Sequence, residues 1–332
     1  MILAGDIGGT HTRLGLFNKD GDGLRLESEM IYSSREHSGI AEIVNSFLAF
    51  KNVQVGRASF GIAGPVLNGR VSTPNLPWVI DEELLSQESG IASVSLLNDL
   101  QAHASGIGDM APEDFVALNS VPLGPGNAAL IAAGTGLGEA GLYWDGTHRH
   151  PFPCEGGHSD FAPRNDLEIA LLQYLQKKFG RVSYERVLSG PGLKNIYDFL
   201  RDSSVEQEPP WLRDELAQTP DPAATISQHG LAGKVTICEH ALDIFVSVYG
   251  AEAGNLALKL MATGGVFVSG GIATRILPRL TAPAFMRAFV AKGRMQPLLA
   301  TIPVKIITND RVGLFGAARY AVSQPDKPSP RK

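Results

Sequence analysis

The alternation of apolar and polar residues predicts the elements of this chain in order. Residues 2–5 form a short apolar run that stops at Asp6. Gly8-Gly9 come next, and then an alternating segment in which Thr12, Leu14 and Leu16 share one face, so residues 2–17 read as strand, glycine turn, strand. A third strand is predicted over 24–32, and Ile40, Ile43, Val44, Phe47 and Leu48 fall on one helical face. Residues 57–63 form another strand, 66–72 read as two short strands around the turn pair Asn68-Gly69, and Asp81 caps a short helix through Glu88. The strand over 93–97 ends at Asn98-Asp99. Residues 109–127, rich in Pro, Gly, Asp and Asn, read as a connection between domains.

Beyond residue 127 the opening pattern recurs. Residues 128–133 are a strand, Gly134-Thr135-Gly136 a turn and 138–144 a returning strand. Leu14-Gly15-Leu16-Phe17 is echoed by Ala140-Gly141-Leu142-Tyr143, which suggests two halves on one plan. Residues 151–164 have no periodicity but crowd Cys154, Glu155, His158 and Asp160 together. Asn165 with Glu168 reads as a capping box opening a helix through Lys178 that stops at Gly180. A brief helical turn over 183–188 is expected to break at Gly190-Pro191-Gly192, before a helix marked by Leu193, Ile196, Phe199 and Leu200. Residues 202–224 read as an acidic, proline-rich surface excursion, and 235–261 as one or two long helices. A strand over 266–268 leads to Gly270-Gly271 at the start of another helix. The late strand 304–307 precedes Asn309-Asp310 and a final helix over 311–322, expected to cross back to the first domain. The predicted division is a small α/β domain of residues 1–108 plus 304–322, a large α/β domain of 109–303, and a disordered tail over 323–332.

Composition narrows the class. At 332 residues the chain exceeds what one core usually supports, so two domains are expected. The formal charge of −5, with Lys and Arg scattered, has no basic stripe for nucleic acid. Two cysteines, Cys154 and Cys238, supply neither a disulfide framework nor a four-cysteine metal site, which favours a reducing compartment. With no signal-peptide pattern at Met1 and no run of roughly 20 apolar residues, a cytoplasmic protein without a membrane partner is expected.

A glycine turn directly after a strand lets backbone N–H groups approach phosphate. No helix comes after this one, so the dinucleotide fingerprint and the lysine-containing P-loop both fail on context. Asp6 at the strand end can hold a phosphate-bound magnesium, and Thr10 and Thr12 offer hydroxyls; an ordinary tight hairpin is the alternative. Asp99 stands where open α/β sheets gather ligands, at the carboxyl end of a strand, although an Asp there also reads as a helix cap. His158 reads equally as a loop histidine bonded to backbone, and Glu185 as a solvated helix residue. One cysteine and one histidine argue against zinc at Glu155 and His158.

Six stretches, GDIGGTHTRL (5–14), LLNDL (96–100), AAGTGLG (132–138), CEGGHSDFAP (154–163), ERVLSGPGL (185–193) and VFVSGGI (266–272), together resemble the bacterial glucokinases outside the ROK family. The likeness runs in order from about residue 2 to 320. It implies an actin-like and hexokinase-like ATPase fold: two ribonuclease-H-like α/β domains with the active site in the interdomain cleft. It also implies ATP-dependent phosphorylation of glucose at its 6-hydroxyl with Mg2+, and a homodimer. By the resemblance, Asn98 and Asp99 match the sugar-binding and catalytic-base pair. Glu155, His158 and Glu185 match sugar ligands, and Asn75 in TPNLPW matches a further sugar contact. Phosphate contacts fall to Gly8, Gly9, Thr10, Gly134, Thr135 and Gly136, and adenosine contacts near Gly270, Gly271 and Asn255. An aspartate of ordinary pKa, about 3.9, is ionised at neutral pH and can accept the hydroxyl proton. His11 stands where the family often has Asn, and Cys154 replaces a glycine before the glutamate. The rivals are a kinase for another hexose or with a polyphosphate donor, and a sugar sensor that binds without catalysing. The chain beginning at the phosphate hairpin, with no helix-turn-helix before it, weighs against the sensor.

Overall fold

The opening hairpin forms as its alternation predicts: β1 (Ile2–Ile7) pairs antiparallel with β2 (His11–Asp20), which sets Asp6 opposite Arg13 and Ile7 opposite Thr12. The structure is a computed structural model that describes residues 1–73 and 76–324. It holds two compact units. One comprises Met1–Asp114, Pro151–Pro153 and the segment from Asn309 onward; the other comprises Phe115–His150 and Cys154–Thr308.

In the first unit β3 (Gly23–Ser33) joins β2, and α1 (Ile40–Lys51) crosses to β4 (Arg57–Ile62). A small ribbon, β5 (Arg70–Ser72) with β6 (Val79–Asp81), precedes α2 (Glu82–Ser89), β7 (Ser93–Asn98) and α3 (Asp99–Gly106). The sheet order is β3-β2-β1-β4-β7. Because β1, β4 and β7 are parallel, with Ile7 level with Ile62 and Ile62 level with Asn98, their carboxyl ends finish along one edge. The apolar stripe of α1, Ile40, Ile43, Val44 and Phe47, packs with Leu3, Leu14, Phe60 and Leu96 in a single buried cluster. Asn68 and Gly69 have φ of 52° and 72°, the left-handed pair that a type I′ turn requires.

The second unit begins with β8 (Phe115–Ala117), β9 (Ala128–Ala133), β10 (Leu137–Trp144) and β11 (Arg149–Cys154). Next are helices α4 (Asp166–Phe179), α5 (Gly190–Asp202), α6 (Pro210–Gln218), α7 (Pro222–Leu231) and α8 (Thr236–Leu260). Then come β12 (Gly265–Ser269), short helices α9 (Gly271–Arg275), α10 (Leu277–Leu280), α11 (Pro283–Val290) and α12 (Gln296–Ala300), and β13 (Val304–Ile307). The sheet order is β11-β10-β9-β12-β13-β8. An antiparallel hairpin beside a parallel strand, β10-β9-β12, repeats the plan of β2-β1-β4, as the echoed sequence suggested. Helix α8 is buried on nearly every face, so it serves as the centre of this core rather than as a surface helix.

The chain returns to the first unit as α13 (Val312–Ser323), whose Leu314, Ala317 and Ala318 cover Ala4, Phe17 and Leu97. It crosses α3 so closely that a Cβ on Gly106 would meet the Val312 carbonyl, and one on Gly316 the Ala102 carbonyl.

Several expectations change. The residues read as a bare connection over 109–127 contain β8, a three-residue edge strand too short to show alternation. The brief helical turn over Tyr184–Arg186 does end before Gly190, but Gly190-Pro191-Gly192 forms the first turn of α5, which starts there rather than near Leu193, because Ser189 caps it through Gly192 N–H (3.0 Å) and proline suits a first turn. Most of 202–224 is helical, with α6 and α7 each opened by a proline. Residues 304–307 lie in the second sheet, between β12 and β8, so the return begins at Asn309 rather than 304. Of the expected tail, residues 325–332 lie outside the described residues, and α13 runs through Ser323. No helix among the described residues is long and apolar enough to cross a membrane.

Candidate active site

The carboxyl edge of the first sheet collects three titratable side chains. Asn98, the last residue of β7, caps α3: its Oδ1 accepts from the N–H groups of Leu100 (3.0 Å) and Gln101 (3.4 Å), and its amide donates to the Gly64 carbonyl (3.2 Å). Capping is therefore Asn98's work, and Asp99 is the first helical residue. Its Oδ1 accepts from Leu100 N–H (2.9 Å). Burial pushes the Asp99 carboxyl above the ordinary aspartate value and nearby Asp6 adds to the rise, against the pull of His103 and the Leu100 N–H. The carboxylate is thus a stronger base than the unperturbed aspartate that sequence alone implies.

Asp6 is raised to about 6, chiefly by burial, with Arg13 opposing and Asp310 reinforcing. Arg13 itself is tied to Asp310, by Nη2 to the carboxylate at 2.7 Å and Nη1 to the carbonyl at 3.2 Å, and that pairing holds the Asp310 carboxyl below its usual range. His103, four residues after Asp99 and so on the same helix face, is pushed down by burial, with Asp99 opposing. A Cβ at Gly313 would lie 2.9 Å from His103 Nε2 and 3.2 Å from Asp6 Oδ2. Glycine at the start of α13 is what lets the ring and the carboxyl sit there. Two carboxyls pushed up and one imidazole pushed down, each chiefly by burial, therefore lie together at this edge.

The β1–β2 turn is a narrower nest than expected. Gly8 N–H closes the turn onto the His11 carbonyl (2.9 Å), and Gly8's own carbonyl accepts from Ser34 Oγ (2.9 Å). Thr12, fully buried, spends its hydroxyl on Ser34 Oγ (3.0 Å), so it does not offer a phosphate the group that sequence suggested. No hydrogen bond among the described residues engages the N–H of Gly9 or Thr10, and Thr10 is exposed.

The matching β9–β10 turn lies in the second unit. Gly134 N–H donates to the Gly136 carbonyl (2.8 Å), and Gly134's carbonyl accepts from Gly190 at the start of α5 (2.8 Å). Thr135 is exposed, and nothing lies within 4 Å of a Cβ built on Gly134 or Gly271. Gly270 has a φ of 92° and brings the end of β12 against the end of β9, where its Cβ would lie 2.6 Å from the Ala133 carbonyl. Two glycine turns with open faces therefore stand side by side, a cradle that suits phosphate and the edge of a nucleotide. Asn255 is committed elsewhere: its amide pairs with Glu252 (2.7 Å), Tyr184 (3.0 Å) and Lys292 (2.5 Å).

Glu155, His158 and Glu185, 30 residues apart in sequence, converge beside the β9–β10 turn. His158 Nε2 is 3.8 Å from Glu155 Oε2, and Nδ1 is 4.0 Å from Glu185 Oε1. Glu185 Oε2 accepts from Leu137 N–H (3.0 Å) and leaves no room for a Cβ on Gly136. The loop is pinned by Arg181, which donates to the His158 carbonyl (2.6 Å) and to Asp160 (2.7 Å). The His158 ring thus faces the two carboxylates, while its main chain is held by the loop. Asn75 lies outside the described residues. Sequence reading passed over His103, Arg13, Asp310 and Gly313. The spacing of His103 from Asp99 and the cross-strand position of Arg13 against Asp6 were readable signals, but the other two come from the far end of the chain.

The family profile described as glucokinase matches residues 3–324. A glucokinase of Nostoc sp. is 44% identical over 337 residues, covering 97% of this chain and 98% of that one. Among solved structures, a glucokinase from an Antarctic psychrotroph superposes with a TM-score of 0.85 at 29% identity, covering 97% and 99% of the two chains. A ROK family glucokinase from Streptomyces griseus, solved with glucose and AMPPNP, shares the fold with a TM-score of 0.65 at 20% identity over 97% and 99%.

Proposed function

The chain belongs to the glucokinase family, a kinase that transfers phosphate to glucose, and from that premise we propose how its own residues carry out the reaction. The observation that carries the reading is Asp99: a carboxyl with raised pKa, at the first position of a helix and at the carboxyl edge of parallel strands. Asp99 accepts the proton of the glucose 6-hydroxyl as its oxygen bonds to the terminal phosphorus of ATP, and the bond from that phosphorus to the ADP oxygen breaks. Asn98, with its amide fixed by Gly64 and its carbonyl by α3, holds the adjacent sugar hydroxyl. Glu155, His158 and Glu185 take the remaining hydroxyls; two carboxylates can each accept from vicinal diols with charge-assisted strength. Such a site rejects analogues lacking a hydroxyl because its own polar groups would be left unpaired.

The N–H groups of Gly9 and Thr10, and the open turns at Gly134-Thr135-Gly136 and Gly270-Gly271, are the phosphate and nucleotide contacts in this reading. Gly8 supplies the turn rather than a donor. Asp6 is the hard oxygen donor suited to magnesium, which binds through one or two carboxylates and the phosphates themselves. When bound, that ion neutralises phosphate charge. A homodimer in the cytoplasm completes the reading. It rests on the family likeness and on the reducing compartment that two unpaired cysteines suit; sedimentation of the purified enzyme tests the dimer.

A coupled assay across a panel of hexoses with ATP or polyphosphate as donor tests the whole assignment. Glucose with MgATP is expected to give the highest kcat/KM. Preference for another hexose or for polyphosphate, or binding without turnover, would overturn it.

A further inference from the structure

Beneath the loop that carries Glu155 and His158 lies a carboxyl with no part in the reaction so far. Glu139 points inward from β10 and is 1% exposed, yet neither of its oxygens has a hydrogen-bond partner among the described residues. A buried polar group without a partner costs about 1–3 kcal/mol and calls for an explanation. Its position supplies one. A Cβ on Gly156 would collide with Glu139 Oε2 and would sit 3.5 Å from Cys154 Sγ, while a Cβ on Gly157 would collide with the Leu137 carbonyl. The Gly156-Gly157 backbone is thus pressed down on β10, with Glu139 and Cys154 as its floor. Glu155 and His158 are the residues on either side of that glycine pair.

We infer that Glu139 is a positioning residue for glucose recognition, its buried carboxyl forming the floor that sets the height of the 154–158 loop and so the placement of Glu155 and His158. The inference rests on Glu155 and His158 being glucose ligands. The environment favours the uncharged form. From α8, Glu252 faces Glu139 and repels its negative charge, Lys259 partly offsets this while bound to Glu252 at 3.2 Å, and Tyr249 lies close by. From the end of β11 comes the Cys154 thiol, itself pushed up by burial and by Glu139 and Glu155. Burial first and Glu252 second raise the Glu139 carboxyl to about 8. Ionisation would place an unpaired charge under a loop with no room to admit its hydration, and the loop must lift to solvate it. Cys154 is then part of this floor, packed against the same point as the carboxyl.

The test is the pH profile of the glucose KM at saturating MgATP from pH 6.5 to 9.5, for the wild type and Glu139→Gln. One pH unit above the Glu139 value about ten molecules in eleven are ionised, so the wild-type KM is expected to rise roughly tenfold between pH 7 and 9 with little change in kcat. Glu139→Gln, uncharged at every pH, should keep the low-pH KM throughout. A flat wild-type profile, which needs no variant to observe, would overturn the inference. So would a Glu139→Gln profile that rises in parallel with the wild type. Glu155→Gln separates the floor role from the sugar-loop reading. If it raises KM at every pH while Glu139→Gln still parallels the wild type, only the floor role falls. If Glu155→Gln leaves KM unchanged, the sugar-loop reading falls and takes this inference with it.

Discussion

Asp99 and Asp6 share one buried environment, and in the proposed reaction each takes a different task. Asp99 is raised by burial while Asn98 does the capping, so replacing it should remove the base without unfolding α3. Asp99→Asn is expected to lower kcat by about two to four orders of magnitude, the usual worth of a positioned general base, with glucose KM within a few-fold of wild type. Steady-state kinetics with glucose and MgATP checks it, and near-normal turnover would remove Asp99 from the role. Asp6 has a folded-state value of about 6, above that of an unfolded aspartate near 3.9. Linkage fixes the sign: the protonated form is favoured by folding, so its contribution is full below about pH 4 and is lost as pH rises through 6. Asp6→Asn, which cannot ionise, should therefore melt above the wild type at pH 7 to 8, by a margin that opens between pH 4 and 6 and stays constant beyond. Thermal scans across that range read it, and a margin independent of pH would refute the burial account. A residue kept at a cost in stability is the usual mark of function.

At the scale of elements, α3 matters because it carries Asp99, and it is held by α13 through two glycines facing backbone. Gly316→Ala puts a methyl group into the Ala102 carbonyl, and no flexible side chain is there to give way. A loss of about 1–3 kcal/mol, toward the upper end, is expected in denaturant titration, together with a fall in kcat as α3 is displaced. Ser189→Ala, which removes the α5 cap, should cost about 1 kcal/mol in denaturant titration. These elements also show what pattern reading reaches. Long periodic segments such as α1 and α4 were legible because their buried positions recur at helical spacing, and the β1–β2 hairpin because a short apolar run, a glycine pair and a segment of alternating residues follow one another, although both strands are buried in continuous runs. Strand β8 was not, at three residues, and the first turn of α5 and the helices α6 and α7 were obscured because proline, which ends helices in their interiors, also begins them.

At the scale of the whole molecule, binding free energy and folding free energy are linked. Glucose at a hundred times its Kd should stabilise the folded enzyme by about 2.7 kcal/mol, visible as a rise in Tm. Glu155→Gln should raise the glucose KM at least several-fold, leave kcat within a few-fold, and shrink the Tm rise at a given glucose concentration. An unchanged glucose-dependent rise would exclude Glu155 as a ligand. By itself the amino-acid sequence determined the two repeated hairpins with their glycine turns and the placing of Asn98-Asp99 at a strand end, because those signals are local and carried by spacing, while the kinase family came through the resemblance of six stretches to known glucokinases. Only the tertiary structure decided what surrounds each group. It brought His103 and Gly313 against Asp6, tied Arg13 to Asp310 across almost the full length of the chain, spent Thr12 on Ser34, and set Glu139 under Gly156. The physical reason is that desolvation, which dominates the Asp6, Asp99 and Glu139 shifts, depends on which distant segments exclude water, and no stretch of sequence carries that information alone.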